Sequence, residues 1–176
     1  MLFVHSQRVR FIRFLLLFFI LLLGQTTKAQ DQFYGLSSSW FSSYSGLNWS
    51  IGASKIAKNS KYEMGLKWAY SRSRTPLSNY PSWYGKYTHV LSPDKKFSGV
   101  VFGRYDGLFN EIETQKELIN EFHFGFGLHY KLSDKLHLLA ETGAGGYIQN
   151  NSNLISESDL KGISHCINFE LLYTLF

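Results

Sequence analysis

The clearest pattern along the chain is a strict alternation of apolar and polar residues. In the stretch KYEMGLKWAYS, which begins at Lys61, apolar side chains occupy every second position from Tyr62 to Tyr70. The same period of two runs through residues 47–54, 121–132 and 166–175. Such a period indicates β-strands with one apolar face, whereas helical periodicity is nearly absent. The pattern therefore predicts an all-β protein.

Weaker strand signals fill the gaps between these stretches. They cover residues 33–40, 83–91, 97–108 and 136–147, which brings the predicted total to eight strands. Both faces of 97–108 carry apolar residues, and we place Arg104 and Asp106 on its inner face. All three prolines, Pro76, Pro81 and Pro93, fall in connections, as sheet hydrogen bonding requires.

The predicted connections alternate in length. AKNS, SPDKK and SDK are short and follow strands two, four and six, whereas the other connections, such as SRTPLSNYPS, are mostly much longer. This alternation favours an eight-stranded antiparallel up-and-down barrel, with the short turns at one end. The stretch NEIETQKELIN is expected to be a solvated outer loop, with a helical turn as the alternative.

The two faces of the strands differ in a way that favours a transmembrane barrel over a soluble one. In a transmembrane barrel the apolar face meets lipid and the lumen is polar, and eight strands leave a lumen just wide enough for side chains to fill. We predict a polar network inside the lumen formed by Glu63, Lys67, Arg104, Asp106, His123, His129, Glu141 and Glu170.

Aromatic residues near the strand ends predict two girdles on the apolar face. If the short turns are periplasmic, Trp40, Trp49, Trp68 and Trp83 fall toward the outside, and Tyr62, Tyr130 and Tyr173 fall toward the periplasm. A symmetric hairpin over AKNS sets Trp49 opposite Trp68 and Ile51 opposite Leu66. On each face of the hairpin, apolar residues then pair with apolar residues and polar residues with polar ones.

The N-terminal segment reads as a secretory signal peptide, residues 1–29, which leaves a barrel domain of residues 30–176. Three arginines precede an apolar run at residues 14–23, which is too short for the roughly 20 residues of a membrane-spanning helix. Residues 1–30 hold four of the 18 Lys and Arg residues and none of the 13 acidic ones, so the mature chain carries 14 − 13 = +1. This balance gives no support for nucleic-acid binding. The single cysteine, Cys166, forms no intrachain disulfide.

With the signal peptide, the alternating connections and the ending LLYTLF, the chain resembles the small eight-stranded outer-membrane β-barrels of Gram-negative bacteria. The resemblance covers essentially the whole mature chain. It implies outer-membrane lipid and the barrel assembly machinery as partners, and Phe176 as the C-terminal assembly signal. The aromatic residue that ends such barrels usually lies on the apolar face, whereas here Leu171, Tyr173 and Leu175 occupy that face.

A search for chemistry finds no catalytic, metal or cofactor site. His123 and His129 are six residues apart on one strand, about 20 Å, and a zinc ion binds imidazole at about 2.0–2.1 Å. Ser164 and His165 are adjacent and so point to opposite faces. Symmetric turns are expected to bring Asp106 to His123, and Lys131 to His137.

The expected function is that of a non-enzymatic outer-membrane barrel with both termini in the periplasm. Its structural, adhesive or interaction role would be exercised through its outer loops, with an extracellular or envelope protein as a further partner. Some outer-membrane barrels of this size resemble lipid-modifying hydrolases or acyltransferases, which makes such an enzyme the first alternative. A soluble periplasmic barrel that carries an apolar ligand is the second.

Overall fold

Eight antiparallel β-strands account for nearly all of the chain that the structure, a computed structural model, describes: residues 32–71, 82–112, 115–152 and 157–175. The strands are β1 (Gln32–Ser43), β2 (Gly46–Ala57), β3 (Ser60–Ser71), β4 (Ser82–Val90), β5 (Phe97–Ile112), β6 (Gln115–Lys131), β7 (Leu136–Ser152) and β8 (Glu157–Thr174). No helix in these ranges is long and apolar enough to cross a membrane. The predicted signal peptide and Phe176 lie outside the described residues.

The strands close into a barrel in which each one pairs with its neighbours in the chain and β8 returns to β1. The offset between the strands is found by following register partners from Leu66 on β3 around the wall. Through β2 and β1 they lead to Leu171 on β8, and through β4, β5, β6 and β7 they lead to Lys161 on β8. The offset on β8 is 171 − 161 = 10 residues. An offset of this kind tilts the strands relative to the barrel axis. The predicted eight-stranded up-and-down barrel is confirmed.

The two ends of the barrel differ. At the lower rim, as we call it, the barrel chain begins and ends, and Leu175 N donates to Tyr34 O at 2.8 Å. The β2–β3 turn at this rim is Lys58–Asn59, and the β4–β5 and β6–β7 connections are residues 91–96 and 132–135. The upper rim holds the β1–β2 turn, Tyr44–Ser45, and the upper ends of the other strands.

The expectation of mostly long connections at the upper rim is wrong for most of that rim. The β1–β2 turn has two residues, and β5 and β6 remain paired up to Ile112 and Gln115. The stretch NEIETQKELIN, expected to be a loop or a helical turn, therefore lies largely in the two strands. The β5–β6 pairing here is between backbone groups, which requires no apolar side chains.

This extension makes one half of the barrel taller than the other. Strands β5 to β8 have 16 to 18 residues, whereas β1 to β3 have 12 and β4 has 9. The β5–β6 register also differs by two residues from the expected one, since Asp106 pairs with Glu121, and Arg104 with His123. The predicted approach of Lys131 to His137 is confirmed as a register pair.

The wall has an apolar outer face along its whole circumference. Phe124 and Phe126 on β6 are 70% and 67% exposed, and Phe169 on β8 is 60% exposed. The intervening residues of both strands point inward and are mostly buried, as the two-residue period requires. A soluble barrel would bury its apolar face, so the observed faces contradict the soluble alternative.

Aromatic residues line the outer face near both rims. Trp40 pairs with Trp49 and Trp49 with Trp68, and Ile51 faces Leu66, as predicted from the hairpin over AKNS. Trp83 lies on β4 and contacts Tyr105 with ring centroids 4.8 Å apart. Toward the lower rim the outer face carries Tyr62, Tyr130 and Tyr173, of which Tyr130 is half-buried beneath the Lys96 ammonium.

Replacing the outward-facing Leu128 on β6 by arginine tests which face meets lipid. We expect Leu128→Arg to lower the free energy of unfolding in lipid vesicles by roughly 2–4 kcal/mol, because it places a charge in the apolar band. Leu132→Arg, in the turn at the lower rim, is the matched control and should cost about 0–1 kcal/mol. Denaturant titration of the vesicle-inserted protein measures both, and equal costs would show that the faces are reversed.

Candidate functional site

The lumen holds the chemistry-bearing side chains of the barrel. Every residue predicted for the polar network is buried there: Glu63, Lys67, Arg104, Asp106, His123, His129, Glu141 and Glu170. They reach the interior because every second side chain of a strand points inward, and each of these residues occupies such a position. The buried ionic residues of the described chain comprise four cations and five carboxylates, since Lys61, Lys86 and Glu121 join the predicted ones. Buried charges are tolerated only when they are paired, and this requirement organises the lumen.

In the lower half of the lumen, Glu170 on β8 links two lysines from the opposite wall. Lys86 Nζ lies 2.6 Å from Glu170 Oε2 and 2.5 Å from Glu141 Oε2. Lys61 Nζ contacts Glu170 Oε1 and lies 2.6 Å from Glu63 Oε2. These alternating charges join β3, β4, β7 and β8 across the interior.

Neutral side chains complete this lower network. Tyr84 donates its hydroxyl to Glu63 Oε1 at 2.6 Å, and Asn168 Nδ2 donates to Glu141 Oε2 at 2.6 Å. Each carboxylate in the cluster thus receives more than one donor, which is what stabilises an ionised carboxylate away from water.

A second cluster fills the middle of the lumen around Arg104. Its guanidinium donates to both oxygens of Asp106, at 2.9 Å from Nε to Oδ2 and 2.9 Å from Nη2 to Oδ1. Lys67 Nζ lies 3.0 Å from Asp106 Oδ1. The Arg104 guanidinium carbon also lies 3.7 Å from the ring centroid of Phe41 and 4.2 Å from that of Tyr84. These large side chains are buried together in the middle of the lumen.

Glycines allow the backbones of β6 and β7 to approach closely. A side-chain carbon built at Gly145 on β7 would lie 1.6 Å from the carbonyl oxygen of Phe122 on β6. At Gly125 the same construction meets the carbonyl oxygen of Thr142 at 2.1 Å. The backbones of β6 and β7 therefore approach too closely at these two positions for either residue to carry a side chain.

Near the top of the lumen a serine, a histidine and a carboxylate come together. Ser164 Oγ lies 3.0 Å from His123 Nε2, and Glu121 Oε2 lies 3.5 Å from the same nitrogen. In a catalytic triad the carboxylate holds the other ring nitrogen, so that the histidine can accept the serine proton. Here His123 Nδ1 has no hydrogen-bond partner among the described residues, and the three side chains are buried. The arrangement lacks the order and the access of a nucleophilic site.

The second histidine predicted for the lumen lies near the lower rim. His129 Nε2 on β6 is 2.9 Å from His137 Nδ1 on β7, with nearly parallel rings. His123 and His129 do not share a partner. Within the described ranges no group of three or more histidine, cysteine or acidic residues is placed to hold a metal ion.

The β1–β2 turn bends inward and caps the upper end of the lumen. Tyr44 N donates to Ser164 Oγ at 3.1 Å, and Ser45 N donates to Glu121 Oε1 at 3.0 Å. The Tyr44 ring stacks on Tyr147 of β7 with centroids 3.6 Å apart. Gly46, with φ of 96°, supplies the left-handed backbone that redirects the chain into β2.

Four members of the network were missed in the sequence, namely Lys61, Tyr84, Lys86 and Glu121. Lys61 precedes Glu63 by two residues and so shares its face, a signal that was available. Tyr84 and Lys86 occupy inward-facing positions of β4, whose weak alternation in the sequence hid them. The cap was missed as well, because nothing in the residues of a two-residue turn shows that it bends inward.

Comparison with known proteins gives likeness in fold alone. No protein-family model and no curated protein matches the chain. Among solved structures, it is similar to the N-terminal β-barrel domain of Pseudomonas aeruginosa OprF, with 7% identity and a TM-score of 0.56, over 84% of this chain and 100% of that one. It is also similar to Neisserial surface protein A, with 10% identity and a TM-score of 0.50, over 84% and 99%. The chain has the fold of the eight-stranded outer-membrane β-barrels.

Replacing Glu170 tests whether the lower network stabilises the barrel. Glu170→Ala leaves Lys61 and Lys86 each with one fewer buried carboxylate, and we expect it to lower the free energy of unfolding by about 3–5 kcal/mol. The control Asp94→Ala removes a carboxylate from the exposed β4–β5 connection and should change it by less than about 0.5 kcal/mol. Urea titration in vesicles measures both, and a neutral Glu170→Ala would show that the ion pairs are dispensable.

Proposed function

We propose that the chain is a non-enzymatic outer-membrane barrel that is closed to diffusion and acts through its outer end as a structural, adhesive or interaction component. The observation that carries this proposal is the filled and capped lumen inside a wall with an apolar outer face. A wall of this kind belongs in lipid, and a lumen of this kind has no path for a solute. What remains for function is the end that projects from the membrane.

The apolar wall supports insertion into the outer membrane. In hydrocarbon every backbone N–H and C=O must be paired within the protein, and a closed barrel leaves no edge at membrane depth. The girdles rich in tryptophan near one rim and tyrosine near the other match the two interfaces of a bilayer. Export by the predicted signal peptide would bring the chain to that membrane, where lipid and the assembly machinery are its partners.

The asymmetry of the two rims supports an orientation with the upper rim outside. Barrels of this class have short periplasmic turns and longer outer segments. The lower rim carries the start of β1 and the end of β8, whereas β5 to β8 extend at the upper rim. Both termini of the barrel are then periplasmic, and the outer end is the taller half.

The closed lumen supports a role other than transport. Phe41, Tyr84 and Arg104 fill its middle, ion pairs fill its lower half, and the turn Tyr44–Ser45 covers the top. Among the residues that the structure describes, the contact of Ser164 with His123 is the one feature that favours the enzyme alternative. Its burial and the position of Glu121 oppose that alternative, because a lipid ester cannot reach Ser164 Oγ beneath the cap.

Membrane fractionation combined with single-channel recording tests the proposal. The protein should be found in the outer-membrane fraction and migrate differently on a gel with and without heating. In planar bilayers it should show no sustained channel conductance, since side chains occupy the lumen. Recovery in the soluble periplasm would contradict the membrane assignment, and a stable open channel would contradict the closed lumen.

A further inference from the structure

The upper part of β8 has an open edge. Its residues pair with β7 from Glu157 onward, but its ladder with β1 begins only at Ile167, opposite Ser42. In the described part of the chain, no strand pairs with the ten residues 157–166 on the side that faces away from β7. This edge is roughly 30 Å long at the rise of an extended strand.

The cap explains why the edge is open. A straight β1–β2 hairpin would continue upward beside β8, with Ser43 next to Cys166. Instead the chain turns inward at Tyr44, and its amide donates to the side chain of Ser164. The bend that covers the lumen therefore also leaves the backbone groups of β8 without a neighbouring strand.

Proteins usually blunt an exposed edge with proline, a bulge, a very short strand or charged side chains, lysine above all. The edge of β8 has no proline, and the β7–β8 ladder runs from Leu136 to Ser152 with no register shift. It also offers apolar surface, because Ile163 on the outer face is 79% exposed and Leu160 is 49% exposed. Lys161, between these two, is exposed and provides a positive charge.

A second copy in the same membrane does not fit this edge by pairing β8 with β8. Two identical antiparallel strands are related by a twofold axis perpendicular to their sheet. The barrel wall stands along the membrane normal, so that axis would lie in the membrane plane and invert the second copy. A parallel pair joins opposite edges, and β7 already occupies the other edge of β8.

We propose that the open edge of β8, residues 160–166, binds an extended segment of another protein, which adds as a strand beside it. The inference rests on the proposed function, since it assigns the interaction at the outer end to this edge. Backbone hydrogen bonds provide the attachment in this mode, and side chains at alternate positions provide specificity. The segment would carry an apolar residue against Ile163 and a carboxylate near Lys161.

A binding experiment with a defined peptide tests the proposal. The protein is purified from outer membranes and placed in lipid nanodiscs. The probe is a fluorescent ten-residue peptide that alternates valine with threonine and has one central glutamate. We expect saturable binding, and at least about tenfold weaker binding when alternate amides of the peptide are methylated, since methylation removes its donors along one edge.

A matched pair of variants locates the contact. Ile163→Asn should weaken peptide binding severalfold, whereas Ile148→Asn, on the same outer face but one strand away from the edge, should leave binding within twofold. Amide hydrogen exchange should show new protection at residues 160–166 on peptide binding and no change at residues 169–173.

Four outcomes would overturn the proposal: equal binding of both peptides, equal effects of the two variants, no binding up to about 1 mM, or protection elsewhere in the barrel. Concentration-dependent assembly of the protein without peptide would show that a second copy occupies the edge instead. The same preparation is also tested for heat-dependent gel migration and for channel conductance. If it migrates as a folded barrel and does not conduct, a negative binding result contradicts only the strand-addition proposal and not the proposed function.

Discussion

The backbone ladder between β1 and β8 is the interaction on which the rest of the structure depends. It converts eight consecutive hairpin-linked strands into a closed wall, from Gly35 opposite Thr174 to Ser42 opposite Ile167. Without it, two edges would lie at membrane depth, where water cannot satisfy them. Closure also creates an interior so narrow that every inward side chain must find its partners among the others.

The interior meets that requirement with charge pairs rather than with apolar packing. The parity that sends Phe124 and Phe126 into lipid sends His123 and Gly125 inward, so that one alternation determines both surfaces. Glu170 in the lower half and Asp106 in the middle each bind two cations. Gly52 and Gly65 leave the space that the side chain of Tyr84 occupies. Ion pairs of this kind join strands on opposite sides of the wall across the lumen.

At the upper rim one local bend has two consequences. The turn Tyr44–Ser45 leaves the wall to hydrogen-bond inside the lumen, and the upper part of β8 loses the neighbour that it has lower down. The taller half of the barrel thus ends in an edge strand that stands above the girdle tryptophans. The cap and the open edge are two results of a single change in chain direction.

Strand number, topology and face were predictable because a period of two is a direct result of backbone geometry. The Trp49–Trp68 pair was predictable because the turn between β2 and β3 is short. The pairing of Asp106 with Glu121 was not, since it depends on how far β5 and β6 stay paired in a polar stretch with no period to read. The partners of Glu170 were not predictable either. They lie across the lumen on β3 and β4, and their approach depends on the offset and tilt of the whole wall.

Tryptophan fluorescence in bilayers of brominated lipid tests the central claim, that the apolar face meets lipid and the polar face fills the lumen. The protein has four tryptophans, and Trp40, Trp49, Trp68 and Trp83 all lie on the outer face. The account predicts strong quenching by bromine near the headgroup end of the acyl chains and weak quenching by aqueous acrylamide. Efficient quenching by acrylamide without quenching by the lipid would contradict it.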